Sequence, residues 1–252
     1  MHSNERRVFV IFNPASGRGR GARRISRFLS LLEKHIPGFT HAATSRAGEE
    51  SVLAEQAIAE GFNLIVAVGG DGTWSKVADR IVDSGKENVV LGLLASGTGN
   101  DFGRNFSVSM RTPEIAVRTL ARGVLRSVDV CWVITSATPL RAQAGPRRTS
   151  KGCNFLNLVG FGFDVAVIED TAGARFLRGE LLYKVTALKN LFSYSGVPLM
   201  LEGDGPTVDG EQLMLTISNA PFFGGGFLIA PEAQLDDGLL DACAIGNTPA
   251  FT

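Results

Sequence analysis

A chain of 252 residues with 44% hydrophobic and 20% charged residues carries enough apolar material for a core, in one large domain or two smaller ones. Its 25 basic residues balance its 25 acidic ones, so no global charge points to nucleic acid as a partner. No apolar run approaches the roughly 18 residues of a membrane span. The start is too polar for a signal peptide, and three scattered cysteines (Cys131, Cys153, Cys243) read as buried free thiols in a reducing, cytoplasmic setting.

The first half alternates strand and helix. Val8–Phe12 is an unbroken apolar run, the pattern of a parallel strand covered on both faces. A polar loop, Asn13-Pro14-Ala15-Ser16-Gly17-Arg18-Gly19, leads into a helix whose Ile25, Phe28, Leu29, Leu32 and Ile36 draw one face, and Pro37-Gly38 stops it. A second helix over 49–60 turns Leu53, Ala54, Ala57 and Ile58 inward. Strand 64–68 empties into Gly69-Gly70-Asp71-Gly72-Thr73, followed by a third helix with Trp74, Val77, Ala78, Ile81 and Val82 on one side. Another apolar strand over 89–94 empties into Ala95-Ser96-Gly97-Thr98-Gly99-Asn100-Asp101. Thr112-Pro113-Glu114 is a helix start, with a capping residue before a first-position proline, and that helix ends near Arg122-Gly123.

Repeated β-loop-α units predict a parallel sheet flanked by helices, with ligands at the carboxyl ends of its strands. The loops 13–19, 69–73 and 96–101 all fall at such ends and so converge on one crevice. Glycines in these loops let backbone N–H groups approach phosphate oxygens without Cβ contacts. Asp71 is the odd member, because a bare phosphate cradle has no use for a negative charge. A Mg²⁺ between Asp71 and the phosphates would account for it.

Past residue 124 the period changes. Val128, Val130, Trp132 and Ile134 alternate with Asp129, Cys131 and Val133, the pattern of a half-buried antiparallel strand. Residues 136–152 show no periodicity and read as a loop. Strand-like runs recur at 153–160, 197–201, 212–218 and 239–245, broken by a helical stretch through Leu177, Leu181, Val185, Leu188 and Phe192. The expected organisation is an α/β nucleotide-binding domain over 1–124 and a β-rich domain over 125–252.

Three elements in order, Asn13-Pro-x-Ser16-Gly17, Gly69-Gly-Asp-Gly-Thr73 and Gly97-Thr98-x-Asn100-Asp101-Phe102, resemble the catalytic region of the diacylglycerol kinase and sphingosine kinase family, closest to its soluble bacterial lipid kinases. Asn219-Ala-Pro-x-x-Gly224-Gly225-Gly226 and Ala230-Pro231-x-Ala233-x-x-Asp236-Asp237-Gly238-x-Leu240-Asp241 match later motifs of that family, so the likeness covers nearly the whole chain. The resemblance implies an NAD-kinase- and diacylglycerol-kinase-like α/β domain, a parallel sheet with flanking helices, followed by a β-sandwich-like domain. It implies ATP- and Mg²⁺-dependent phosphorylation of the hydroxyl of diacylglycerol or a related lipid. By position the nucleotide would be held by Asn13, Ser16, Gly17, Thr44, Gly69, Gly70, Asp71, Gly72, Thr73, Gly97, Thr98, Asn100 and Asp101, with Asp71 the catalytic candidate. A Mg²⁺ site would fall on the Asp237 carboxylate and the carbonyls of Gln234 and Leu239. Arg18 and Arg20 either add positive charge at the phosphate-binding loops or are solvated. The glycine–aromatic segments 160–163 and 222–227 either line an acyl groove or pack as core aromatics beside tight turns. The implied partners are a lipid at a membrane surface and no nucleic acid, with a homodimer as the further assembly; the implied location is cytoplasmic, peripheral to the membrane.

Two positions depart from the resemblance. Relatives continue the glycine turn with Asn-Glu-Val, whereas this chain has Ser75-Lys76-Val77; Lys76 either touches a phosphate or faces solvent. The family's acidic general base lies in an Asp-Gly-Glu-like element beyond the metal loop, yet Asp209-Gly210-Glu211 precedes that loop and reads as a turn between strands. The expectation is a sequence truncated at its C-terminus; the alternatives are a nucleotide- or lipid-binding module without efficient turnover, and an NAD kinase, which also carries a Gly-Gly-Asp-Gly-Thr turn.

Overall fold

The computed structural model describes residues 6–17, 20–106, 112–134, 152–163, 165 and 194–247. The loop expected over 136–152, apart from Gly152, which opens a strand, the helical stretch through Leu177–Phe192, Arg18 and the Arg20 side chain lie outside the described residues. The chain forms two compact units, one comprising Met1–Leu156 with Gly224–Gly226, the other Asn157–Phe223 with Phe227–Thr252.

The first unit is built on a four-stranded parallel sheet of β1 (Val8–Phe12), β2 (Thr40–Ala43), β3 (Leu64–Gly69) and β4 (Val90–Ala95), in the order β2-β1-β3-β4. Every residue of β1 and β3 is buried, as two-sided coverage requires. One face carries Val8, Val10, Phe12, Leu64, Val66 and Val68, packed in a common cluster with Phe28 and Leu32 of α1 (Arg20–His35) and Ala116 and Val117 of α4 (Pro113–Arg122). Residues of opposite parity, Phe9, Ile11, Ile65 and Ala67, are buried on the other face, where α2 (Glu49–Ala59) and α3 (Asp71–Ser84) supply the buried Ala54, Ala57, Ile58, Trp74 and Val77. The Trp74 indole donates to the Ala67 carbonyl at 3.1 Å, so α3 is pinned to β3 directly behind the glycine turn. Thr112 and Pro113 do open α4, although the Thr112 side chain makes no capping bond, and Gly123 closes that helix with φ 68°.

Two features of this unit differ from the sequence expectation. β2 has no apolar run to announce it: Thr40-His41-Ala42-Ala43 is a short edge strand with three of its four residues exposed. The hairpin of β5 (Cys131–Ile134) and β6 (Gly152–Phe155) belongs to the first unit, where Asn154 Nδ2 donates to Asp79 Oδ1 of α3 at 2.6 Å. The change of hydrophobic period near residue 124 therefore falls inside that unit. The cysteines are free as expected but none is fully buried, and Cys153 is exposed, because the two-stranded hairpin leaves part of its surface uncovered.

The second unit centres on β9 (Val208–Ser218), flanked by antiparallel β7 (Leu158–Gly162), β8 (Val197–Leu201) and β12 (Asp241–Gly246). Asp209-Gly210-Glu211 is not a turn. It lies within β9 in register with Met200, Leu199 and Pro198 of β8, and Gly210 takes φ 121° there. A hairpin of β10 (Phe222–Phe223) and β11 (Phe227–Leu228) turns through Gly224, Gly225 and Gly226, at φ 59°, 91° and 119°. Three successive positive φ angles are a conformation only glycine adopts without strain. Phe161 and Phe227 are exposed, so neither is a core aromatic. Among the described residues, no helix is long and apolar enough to cross a membrane.

Candidate functional site

The carboxyl ends of β1, β3 and β4 bring their loops together through polar side chains and bare backbone. Asn13, the first residue past β1, is the hub: its Nδ2 donates to Thr73 Oγ1 and to Glu50 Oε1, both at 3.0 Å, while its Oδ1 accepts the Ala15 N–H. One amide thus joins the β1 loop to the starts of α2 and α3. Ser16 Oγ lies 2.6 Å from Ser96 Oγ, tying the β1 loop to the β4 loop. The Ser96 and Gly97 N–H groups both donate to the Gly69 carbonyl, at 2.7 and 3.0 Å. Gly70 and Gly97 touch backbone to backbone: a Cβ on Gly97 would stand 2.6 Å from the Gly70 Cα.

These loops line an open surface cavity of about 260 Å³, bordered by Asn13, Ser16, Gly17, Glu50, Gly70, Gly72, Thr73, Lys76 and Gly97. Eight of these were named from sequence, seven as nucleotide contacts and Lys76 as either a phosphate contact or a solvent-facing residue. The remaining expected nucleotide contacts stand elsewhere. Gly69 sits behind the wall with its carbonyl engaged, and Thr98 is exposed and not part of the lining. Thr44 follows β2, with its N–H on the Phe12 carbonyl at 2.8 Å.

Asp71 is used within the protein. Its Oδ1 accepts the Phe102 N–H at 3.0 Å and its Oδ2 the Asp101 N–H at 3.2 Å, satisfying the start of the 3₁₀ turn Phe102–Asn105. Burial raises its pKa above the ordinary 3.8; the two backbone hydrogen bonds oppose that shift and the nearby Asp101 charge adds to it. A negative charge in the glycine turn therefore has a local use as an acceptor, apart from any metal. Asp101 acts similarly, taking the Gly225 N–H at 2.9 Å on Oδ2, and its Oδ1 forms an ion pair with Arg104, 3.2 Å from Nε. Asn100 holds φ 54° and donates to the Gly97 carbonyl at 3.1 Å. These three residues shape the loops rather than line the cavity.

In the second unit, Gln234, Asp237 and Leu239 are all exposed, and Asp237 Oδ1 accepts the Leu239 N–H at 3.0 Å. Among the described residues, no group of three or more His, Cys, Asp or Glu side chains is placed to hold a metal ion. A site there would have to draw on backbone carbonyls, the hard oxygen donors that suit Mg²⁺.

Glu50 was not foreseen. It is 3% exposed, and its Oε2 accepts the Gly48 N–H at 3.0 Å and lies 3.5 Å from Lys76 Nζ. A signal was present: residues 50, 54, 57 and 58 share one face of α2, so an acid occupied a position of the apolar stripe.

Residues 7–133 match the diacylglycerol kinase catalytic domain, and residues 157–251 match the YegS C-terminal NAD kinase beta sandwich-like domain. Among curated relatives, a diacylglycerol kinase of Bacillus subtilis (strain 168) is 27% identical over 237 residues, covering 94% of this chain and 72% of that protein. A "probable lipid kinase YegS-like" of Xanthomonas oryzae pv. oryzae (strain MAFF 311018) is 32% identical over 201 residues, covering 79% of this chain but only 61% of that protein. A solved diacylglycerol kinase from Bacillus anthracis str. Sterne superposes with a TM-score of 0.70 at 22% identity, over 96% of this chain and 74% of the other, a likeness of fold. The chain belongs to the diacylglycerol kinase catalytic domain family.

Proposed function

We propose that this chain binds ATP with Mg²⁺ and transfers its terminal phosphoryl group to the hydroxyl of diacylglycerol or a related lipid. The observation that carries the proposal is the cavity at the ends of β1, β3 and β4, walled by glycine backbone, the Ser16 and Thr73 hydroxyls and the first turn of α3. Phosphoryl transfer needs positioning and charge neutralisation more than covalent help. The N-terminus of α3 supplies the Gly72 N–H and the positive end of a helix dipole, the Thr73 and Trp74 N–H groups being bonded to the Gly70 carbonyl. Gly72 leaves that end uncovered, because a Cβ there would meet nothing within 4 Å.

The donor set in the second unit, the Asp237 carboxylate with the Gln234 and Leu239 carbonyls, has the chemistry to hold Mg²⁺. Exposed Phe227, Leu228, Leu239 and Leu240 offer apolar surface compatible with a lipid acceptor held at a membrane. The relatives' names, diacylglycerol kinase and lipid kinase, support the same acceptor class.

The test is transfer from radiolabelled ATP with Mg²⁺ to diacylglycerol in phospholipid vesicles, run beside NAD as acceptor. Label in phosphatidate is the expected result. Label on NAD alone, or ATP binding with no labelled lipid, would overturn the assignment.

A further inference from the structure

Lys76 points into the cavity with too little to hold it. It lies three residues after Thr73 and four after Gly72, so all three share the face of α3 that lines the cavity. Among the described residues its one charged partner is Glu50, and the 3.5 Å between Nζ and Oε2 is long for a charge-assisted hydrogen bond. The lysine side chain is 42% exposed, whereas that of Glu50 is only 4% exposed. Glu50 does not depend on the lysine, because Asn13 Nδ2 and the Gly48 N–H each donate to it at 3.0 Å. The ammonium, with three donors and one distant acceptor, is the loosely held member of the pair.

A carboxylate in the wall of a cavity suited to polyphosphate would repel its ligand unless a cation offset it. A purely structural pair joining α2 to α3 is a weak explanation, since Glu50 already has two donors and the half-exposed ammonium stands 3.5 Å from it. We propose that Lys76 is a nucleotide-phosphate ligand, swinging from Glu50 to a phosphate oxygen on binding, while Glu50 keeps its two neutral donors and positions the lysine beforehand. This rests on reading the cavity as the nucleotide site.

The experiment is calorimetric titration of ATP, ADP, AMP and adenosine, with Mg²⁺, into the wild type, Lys76→Met, Lys76→Arg and the double variant Lys76→Met/Glu50→Gln. Lys76→Met is expected to weaken ATP roughly tenfold or more, leave adenosine unchanged and flatten the salt dependence of ATP binding, with Lys76→Arg retaining most of the affinity. The double variant is expected to keep most of the loss for ATP, with Tm lowered because one of the two donors to residue 50 then faces an amide NH₂. Lys76→Met alone leaves both donors satisfied and is expected to melt close to the wild type, which separates the effect from misfolding. Unchanged ATP affinity in Lys76→Met would overturn the proposal, as would equal losses for ATP and adenosine. Recovery of wild-type ATP affinity in the double variant would also overturn it, by showing that the lysine only cancels Glu50. A wild type that binds none of the four ligands would remove the nucleotide reading itself, a pattern distinct from these.

Discussion

Two glycines of the candidate site respond to the same substitution in opposite directions. A Cβ on Gly97 would lie 2.6 Å from both the Gly70 Cα and Asn100 Oδ1, so two backbones must part by roughly 1 Å to reach ordinary contact. That separation strains the Ser96 and Gly97 hydrogen bonds to the Gly69 carbonyl. Overpacking of this kind costs about 1–3 kcal/mol, and each kcal/mol lowers Tm by roughly 2–4 °C for a chain of this size. Gly97→Ala should therefore lower Tm by about 2–12 °C and weaken ATP binding. Gly72, the second residue of α3, has open space at its Cβ position, and alanine is favoured over glycine in a helix by up to about 1 kcal/mol. Gly72→Ala should leave Tm unchanged or raise it by a few degrees. It should nevertheless weaken ATP roughly tenfold, because its methyl group keeps a phosphate from the N–H of residue 72 at the N-terminus of α3. Thermal denaturation without ligand, paired with ATP titration, reads both effects. An unchanged Tm in Gly97→Ala would refute the close-approach argument, and unchanged ATP affinity in Gly72→Ala would refute the placement of phosphate at that helix end.

Asp71→Asn leaves one of the Asp101 and Phe102 N–H groups facing an amide NH₂, and should cost about 1–3 kcal/mol in urea denaturation at pH 7. Its pKa is raised on folding, so its contribution is fully present below 3.8 and is lost as pH rises through the folded value; the variant should lack that decline, and an identical pH profile would count against a raised Asp71 pKa. Asp101→Ala removes the acceptor of the Gly225 N–H and should speed amide hydrogen exchange at Gly225 at least tenfold, while exchange at Val66 in the sheet stays unchanged. At pH 8 the exposed Cys153 should react fastest with a thiol reagent and Cys131 slowest, since burial and then the Asp129 charge push the Cys131 thiol to about 11; Cys153→Ser should remove the fast phase.

The parts of the fold that were legible are those whose environment is set by sequence neighbours. β1 and β3 are covered on both faces, so burial demands unbroken apolar runs, and α1 shows its face because one side alone packs. β2 was illegible because an edge strand can be polar, and Thr40-His41-Ala42-Ala43 satisfies its backbone through β1 without an apolar signature. Asp209-Gly210 carries the letters of a hairpin turn, yet pairing with β8 along five residues overrode that local preference. The alternating pattern around Cys131 was real, but the partner hairpin leaves part of the thiols' surroundings open, which no local pattern reports.

In the site, glycines and hydroxyls were readable because their chemistry is intrinsic to the loop that carries them. Roles made by pairing across the sequence were not. Asp71 looked like a metal ligand because nothing nearby in sequence could use its charge; its users are the N–H groups of residues 101 and 102, thirty positions on. Glu50 and Lys76 lie twenty-six residues apart on different helices, and only the crossing of α2 and α3 makes them one device. Among the described residues, Asp71 and Asp101 hold loops, and the positive groups at the cavity are the N-terminus of α3 and Lys76. The described groups in the lining that could hold a phosphate there are backbone, hydroxyls and one lysine, so the acid that first drew attention to the turn acts on the loops that shape the site.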